Sequence, residues 1–309
     1  MKLNWKNLYQ RIFAWGMAGL LLAFAIAGCQ TFSDRASKTV VVASKNFTEQ
    51  IILGEILSQQ IENFTNLNVQ RKLNLGGTFI CHEGIKSGEI DTYVEYTGTS
   101  LQAILEKDTN ANAQQVYQTV KDTYQNRFDI EVMSPLGFNN TFAIVVRQED
   151  AQQYNLETIS DAAEYTSQWT PGFGYEFVER EDGYSGLVET YDLEFQNEPK
   201  LMELGLIYQA LVEKQVDLVA GNSTDGLIQK FDLTILEDNK NYFPPYEAVP
   251  LVRQDTLEKY PQLRQAINLL AGKISAEKMQ QMNYAVDVEN RTAKAVAAEF
   301  LQSSGLVKP

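Results

Sequence analysis

From Thr39 onward short β-branched runs alternate with helical stretches, and that alternation restricts the chain to a layered α/β fold. Thr39 to Ala43 (TVVVA) reads as a strand bounded by polar residues. Asn46, with Glu49 three residues on, predicts a helix start, and the stretch that follows puts Ile52, Leu53, Ile56 and Leu57 on one face. Val69 to Leu75 reads as a second strand, and Gly88 to Tyr93 leads into a third. This order predicts a mostly parallel sheet flanked by helices. Leu101 to Lys107, Ala113 to Tyr124, the stretch around Ser160-Asp161 and Gly205 to Glu213 read as helices, Val216 to Ala220 as a buried strand, and the chain beyond Leu257 as helical. Pro171 to Tyr175 (PGFGY) reads as a Gly-rich loop without the strand–turn–helix frame of a dinucleotide site. Two further strands, 141–146 and 249–252, feed between two α/β units. The expectation is two lobes joined by two crossings, with any ligand in the crevice at the strand ends.

The N-terminus carries a second constraint. Lys2, Lys6 and Arg11 precede an apolar run from Ile12 to Ile26, too short for a comfortable membrane span. It ends in Ile26-Ala27-Gly28-Cys29, which resembles the bacterial lipobox, where the cysteine is lipid-modified and begins the mature chain. That resemblance implies a signal peptide over 1–28, lipidation at Cys29, a polar tether over 29–38 and an extracytoplasmic, membrane-anchored body. The alternative is an uncleaved anchor helix. Removing residues 1–28 takes away three positive and no negative charges, so the formal charge of −14 becomes −17. That balance argues against nucleic acid as a partner.

Beyond Cys29 the only cysteine is Cys81, so no disulfide forms within the mature chain and a packed core must hold it together. Cys81 reads as a buried small hydrophobe, with a reactive thiol as the alternative, and His82 beside it does not by itself make a metal site or a dyad. No G-x-S-x-G, P-loop or H-E-x-x-H motif is present. Neither a cofactor, a metal nor catalysis is expected. An enzyme on a two-lobed scaffold would need a nucleophile–base pair that the sequence does not display.

The chain has 15 Tyr and 15 Phe, several of them beside Gly, Pro or polar residues and off periodic apolar faces. Aromatic rings at strand ends suit an alkylated ammonium, which has no donor to offer a carboxylate, each face contributing about 0.5–2 kcal/mol when desolvated. The ordered segments Ser44–Gln50, Arg71–Thr78, Glu95–Thr99, Pro135–Thr141, Arg180–Tyr184, Ser223–Gly226 and Phe243–Tyr246 resemble the substrate-binding proteins of osmoprotectant ABC transporters, of the glycine betaine, choline and proline betaine type.

The resemblance implies a two-lobed type II periplasmic-binding fold with two crossover strands. It places lobe I at 39–142 and 247–309 and lobe II at 143–246. It implies a monomer that closes on a small zwitterionic solute and delivers it to an ABC permease and its ATPase. Tyr96 and Tyr246 become walls of an aromatic cage. Thr99, Lys45 and Arg180 become holders of a ligand carboxylate, the last through its guanidinium fork. Asn140 joins this set ahead of Phe142, which stands where the family commonly has tyrosine and keeps a ring face without its hydroxyl. Asn222 stands where an aromatic is usual, removing one wall at a cost of about 0.5–2 kcal/mol for a plain trimethylammonium. A different zwitterion or an amino-acid-derived solute therefore stays open as the cargo.

Overall fold

The computed structural model describes residues 38–107 and 112–307. The signal-peptide, lipidation and tether expectations (residues 1–37, Cys29 included) lie outside the described residues. β1 (Thr39–Lys45) is followed by α1 (Thr48–Phe64), β2 (Asn68–Gly76), α2 (Thr78–Ser87), β3 (Thr92–Tyr96), α3 (Ala113–Phe128) and β4 (Ile130–Val132). β3 is buried at every position, as a central strand must be. Much later β10 (Ala248–Arg253) inserts beside it, giving the order β2-β1-β3-β10-β4. Below this sheet Ile85, Tyr93, Val120, Tyr124 and Leu251 close into one fully buried core.

The second sheet belongs to the intervening chain. β5 (Phe142–Arg147), β6 (Pro171–Gly174), β7 (Lys200–Met202), β8 (Leu218–Asn222) and β9 (Leu233–Leu236) assemble in the order β7-β6-β8-β5-β9. Its helices are α4 (Gln148–Tyr154), α5 (Ile159–Ala162), α6 (Tyr175–Glu179), α7 (Tyr184–Tyr191), α8 (Ile207–Val212) and α9 (Gly226–Lys230). The C-terminal region is helical, in α10 (Gln254–Lys259), α11 (Gln262–Asn268), α12 (Ala276–Asp287) and α13 (Ala293–Ser303). An antiparallel bridge between Asn139 and Glu247 sets the two crossings between the sheets side by side.

Several local expectations are corrected. Neither sheet is mostly parallel, because the strand arriving from the other sheet runs against its neighbours: β10 is antiparallel to β3 and β4, and β5 to β8 and β9. The Pro171–Gly174 stretch is a buried strand, not a loop. Its glycines serve close packing: a Cβ on Gly172 would sit 2.9 Å from Val216 Cγ1, and one on Gly174 2.7 Å from Leu204 Cδ2. Asn46 does not cap α1; Phe47 holds the N-cap position without a side-chain hydrogen bond, and the Glu49 carboxylate is drawn inward. The residues after Thr99 form a wide π-helical turn, Ser100–Ile104, where an α-helix was expected. No helix among the described residues is long and apolar enough to cross a membrane.

Candidate functional site

Strand registry determines what meets at the crossings. Ala248 of β10 pairs with Tyr96 at the end of β3, and Phe142 at the start of β5 pairs with Asn222 at the end of β8. Side chains from both sheets therefore converge, and they line a cavity of about 270 Å³. All eight residues selected from the sequence lie on its wall: Lys45, Tyr96, Thr99, Asn140, Phe142, Arg180, Asn222 and Tyr246.

Lys45 is almost fully buried. Its ammonium donates to Glu95 Oε1 at 2.5 Å and to Thr78 Oγ1 at 3.2 Å. It also lies 4.8 Å from the centroid of the Tyr96 ring and 5.8 Å from that of Phe47. Those two rings are nearly parallel, 20° apart with centroids separated by 6.5 Å. Arg180 is partnered in the same manner. Its guanidinium forks onto Asp182, with Nε donating to Oδ1 at 2.7 Å and Nη2 to Oδ2, while Nη1 donates to Thr99 Oγ1 at 3.3 Å. Burial opposes its charge, but the hydrogen bond to Asp182 and that carboxylate's charge raise the guanidinium pKa above its ordinary value. Its Cζ stands 5.0 Å from the Phe142 centroid. Both cations expected to hold a ligand carboxylate thus already carry a buried carboxylate of the chain.

The rings form two groups. Phe142 meets Phe177 edge-on at 4.9 Å and Tyr246 at 5.8 Å, whereas Tyr96 stacks on Phe47. Each tyrosine hydroxyl is fixed by an acid: Tyr246 donates to Asp182 Oδ2 at 2.7 Å, and Tyr96 donates to Glu49 Oε1 at 2.6 Å. Burial raises both phenol pKa values well above the usual one, so the rings remain neutral. Glu49 is a hub. It accepts from Tyr96, from Asn140 Nδ2 at 2.8 Å, from Asn283 Nδ2 at 3.0 Å and from Thr224 Oγ1, which saturates a carboxylate's acceptor positions. Burial nevertheless raises its pKa.

Asn222 is held by Asp225, which accepts from its backbone N–H at 3.0 Å and its Nδ2 at 3.3 Å, and from Tyr208 OH at 2.6 Å. Burial pushes Asp225 up to about 7. Sequence reasoning missed Glu49, Glu95 and Asp182, although each lies inside a segment that carried the family resemblance. It also missed Glu176, Phe47 and Phe177, which line the cavity. Cys81 is fully buried and its thiol is pushed up to about 12 by burial, which agrees with an inert hydrophobe. Burial lowers His82 to about 4, between the ring edges of Tyr124 and Phe128. No metal-competent cluster exists among the described residues.

Comparison with known proteins agrees with this architecture. Residues 38–303 match the substrate-binding domain of ABC-type glycine betaine transport systems. A carnitine transport binding protein of Listeria monocytogenes is 38% identical over 86% of this chain and 87% of its own. A glycine-betaine-binding protein of Pseudomonas aeruginosa is 32% identical over 93% of this chain and 94% of its own. A solved glycine betaine/carnitine/choline ABC transporter protein superposes with a TM-score of 0.71 at 32% identity, covering 86% of this chain and 99% of that one. With two mixed sheets joined by paired crossings and a cavity at their strand ends, the chain belongs to the family of substrate-binding domains of ABC-type glycine betaine transport systems.

Proposed function

We propose that this protein captures a betaine-like quaternary-ammonium solute in the cavity at the crossings and presents it to an ABC importer. It is a transport solute-binding protein rather than an enzyme, and it works outside the cytoplasm. The observation that supports the ligand class is the convergence of all eight sequence-selected residues on one wall system of about 270 Å³. Phe47 and Tyr96 line the cavity with nearly parallel rings, a surface of the kind that attracts an alkylated ammonium. Phe142, Phe177 and Tyr246 supply further ring surface. Asn140 and Asn222 line the same cavity with their amide nitrogens held by Glu49 and Asp225.

The lobes in this reading span 39–142 with 247–309, and 143–246. A solute touching both favours their closed arrangement, and the permease reads that arrangement. A lipid on Cys29 would hold a monomer at the membrane through the tether. A thermal-shift screen of the full chain against glycine betaine, choline, proline betaine and carnitine tests the ligand class. At least one should raise the melting temperature by mass action, and Tyr96→Ala should remove that rise. A wild-type protein that responds to none of them would refute the ligand class.

A further inference from the structure

The cavity carries more acids than its cations need. Among the described residues Lys45 and Arg180 are the basic residues on its wall, and each is matched by a buried carboxylate, Glu95 and Asp182. Three acids line the cavity itself, Glu176, Glu179 and Glu203, and of these Glu176 enters from α6 and reaches across to α2. Its Oε2 accepts from the Thr78 backbone N–H at 3.1 Å, at the first turn of the ten-residue α2. The approach is a fitted one: a Cβ on Gly77 would fall 2.4 Å from that same oxygen. Its Oε1 stays 3.5 Å from Arg180 Nη1, whose guanidinium is already committed to Asp182, and the side chain is 30% exposed. Burial works against the ionised form, yet Lys45, Arg180 and Thr78 together hold its carboxyl below the usual range. Glu176 therefore sits as an anion where a helix N-terminus and a guanidinium would otherwise invite an anionic ligand group.

We propose that Glu176 sets the charge of the cargo, so that within the quaternary-ammonium class the site takes a cation in preference to a neutral zwitterion. The inference rests on the ligand class given above. A cation gains attraction from the Glu176 carboxylate, whose neighbouring cations are each already paired with a buried acid. A betaine carboxylate must either displace Glu176 from the α2 N-terminus or lie beside it at like charge, and like-charge juxtaposition in a partly desolvated cleft is costly.

The test is calorimetric titration of the full chain with choline and with glycine betaine, for wild type, Glu176→Gln and Glu176→Asp. Wild type should bind choline more tightly. Glu176→Gln should shift the ratio of the two dissociation constants toward glycine betaine by about tenfold or more. Glu176→Asp, which retains the charge but shortens the reach to Thr78, should keep the wild-type preference and so separates charge from packing. A wild-type preference for glycine betaine, or a ratio unmoved by Glu176→Gln, overturns the assignment while leaving the ligand class intact. A wild-type protein that binds neither solute overturns both.

Discussion

Asp225 provides a stability switch whose size follows from its surroundings. Its carboxyl is partly buried with no cation among its hydrogen-bond partners, and desolvation, with like charge from Glu49 and Asp287, raises its pKa in the folded protein to about 7 from an ordinary value of 3.8. An acid with a raised folded-state pKa stabilises below its unfolded value, and that stabilisation is lost as the pH rises through the folded value. The window therefore runs from about pH 4 to about pH 7. A separation of about three units corresponds to roughly 4 kcal/mol in full, of which about 2.5 kcal/mol falls between pH 5 and pH 8. For a domain of this size that is about 5–10 °C in melting temperature. Burial raises the Glu49 carboxyl as well, so the informative quantity is the difference between wild type and Asp225→Asn. Urea unfolding at pH 5 and pH 8 measures it. Asp225→Asn should lose stability at pH 5, because its amide must face the Tyr208 or Asn222 donors, yet its decline toward pH 8 should be shallower by about 2.5 kcal/mol. Parallel declines in the two proteins would refute the reasoning.

Arg180→Met leaves Asp182 buried with Tyr246 OH as its remaining side-chain donor and should cost about 3–5 kcal/mol, read as a lower denaturant midpoint. Gly98→Ala would put a Cβ 2.7 Å from Tyr246 Cδ1 and 2.9 Å from the Pro245 carbonyl, so a loss of about 1–3 kcal/mol and a displaced ring wall should appear together as lower stability and weaker ligand binding. Cys81 should resist a thiol-specific chromogenic reagent in the native protein at pH 8 and react fully in denaturant.

The sequence disclosed the parts of the fold whose pattern is local. The β-branched run at β1, the apolar face of α1 and the strand at 142–147 are readable because burial on one or both sides imposes a period. β4 and β7 span three residues each, and a period cannot be established over that length. β6 was hidden because its glycines resemble turn signals, whereas they are required by Val216 and Leu204 pressing on the strand. The same division holds at the cavity. Residues in the resemblance segments could be selected singly, but their partners could not be inferred. Lys45 and Arg180 looked available to a ligand until Glu95 and Asp182 proved to be paired with them. Glu176 gave no signal, since its role depends on reaching Thr78 across 98 positions of sequence.

The central claim is that the cavity recognises a quaternary ammonium through its charge. Calorimetric titration of the full chain with choline and with 3,3-dimethylbutanol, its neutral carbon analogue of the same shape, tests that most directly. Several desolvated ring faces and a surplus carboxylate should make choline bind at least about 30-fold more tightly than the neutral analogue. Equal affinity for the two would contradict the account, because the site would then be reading shape and apolar area alone.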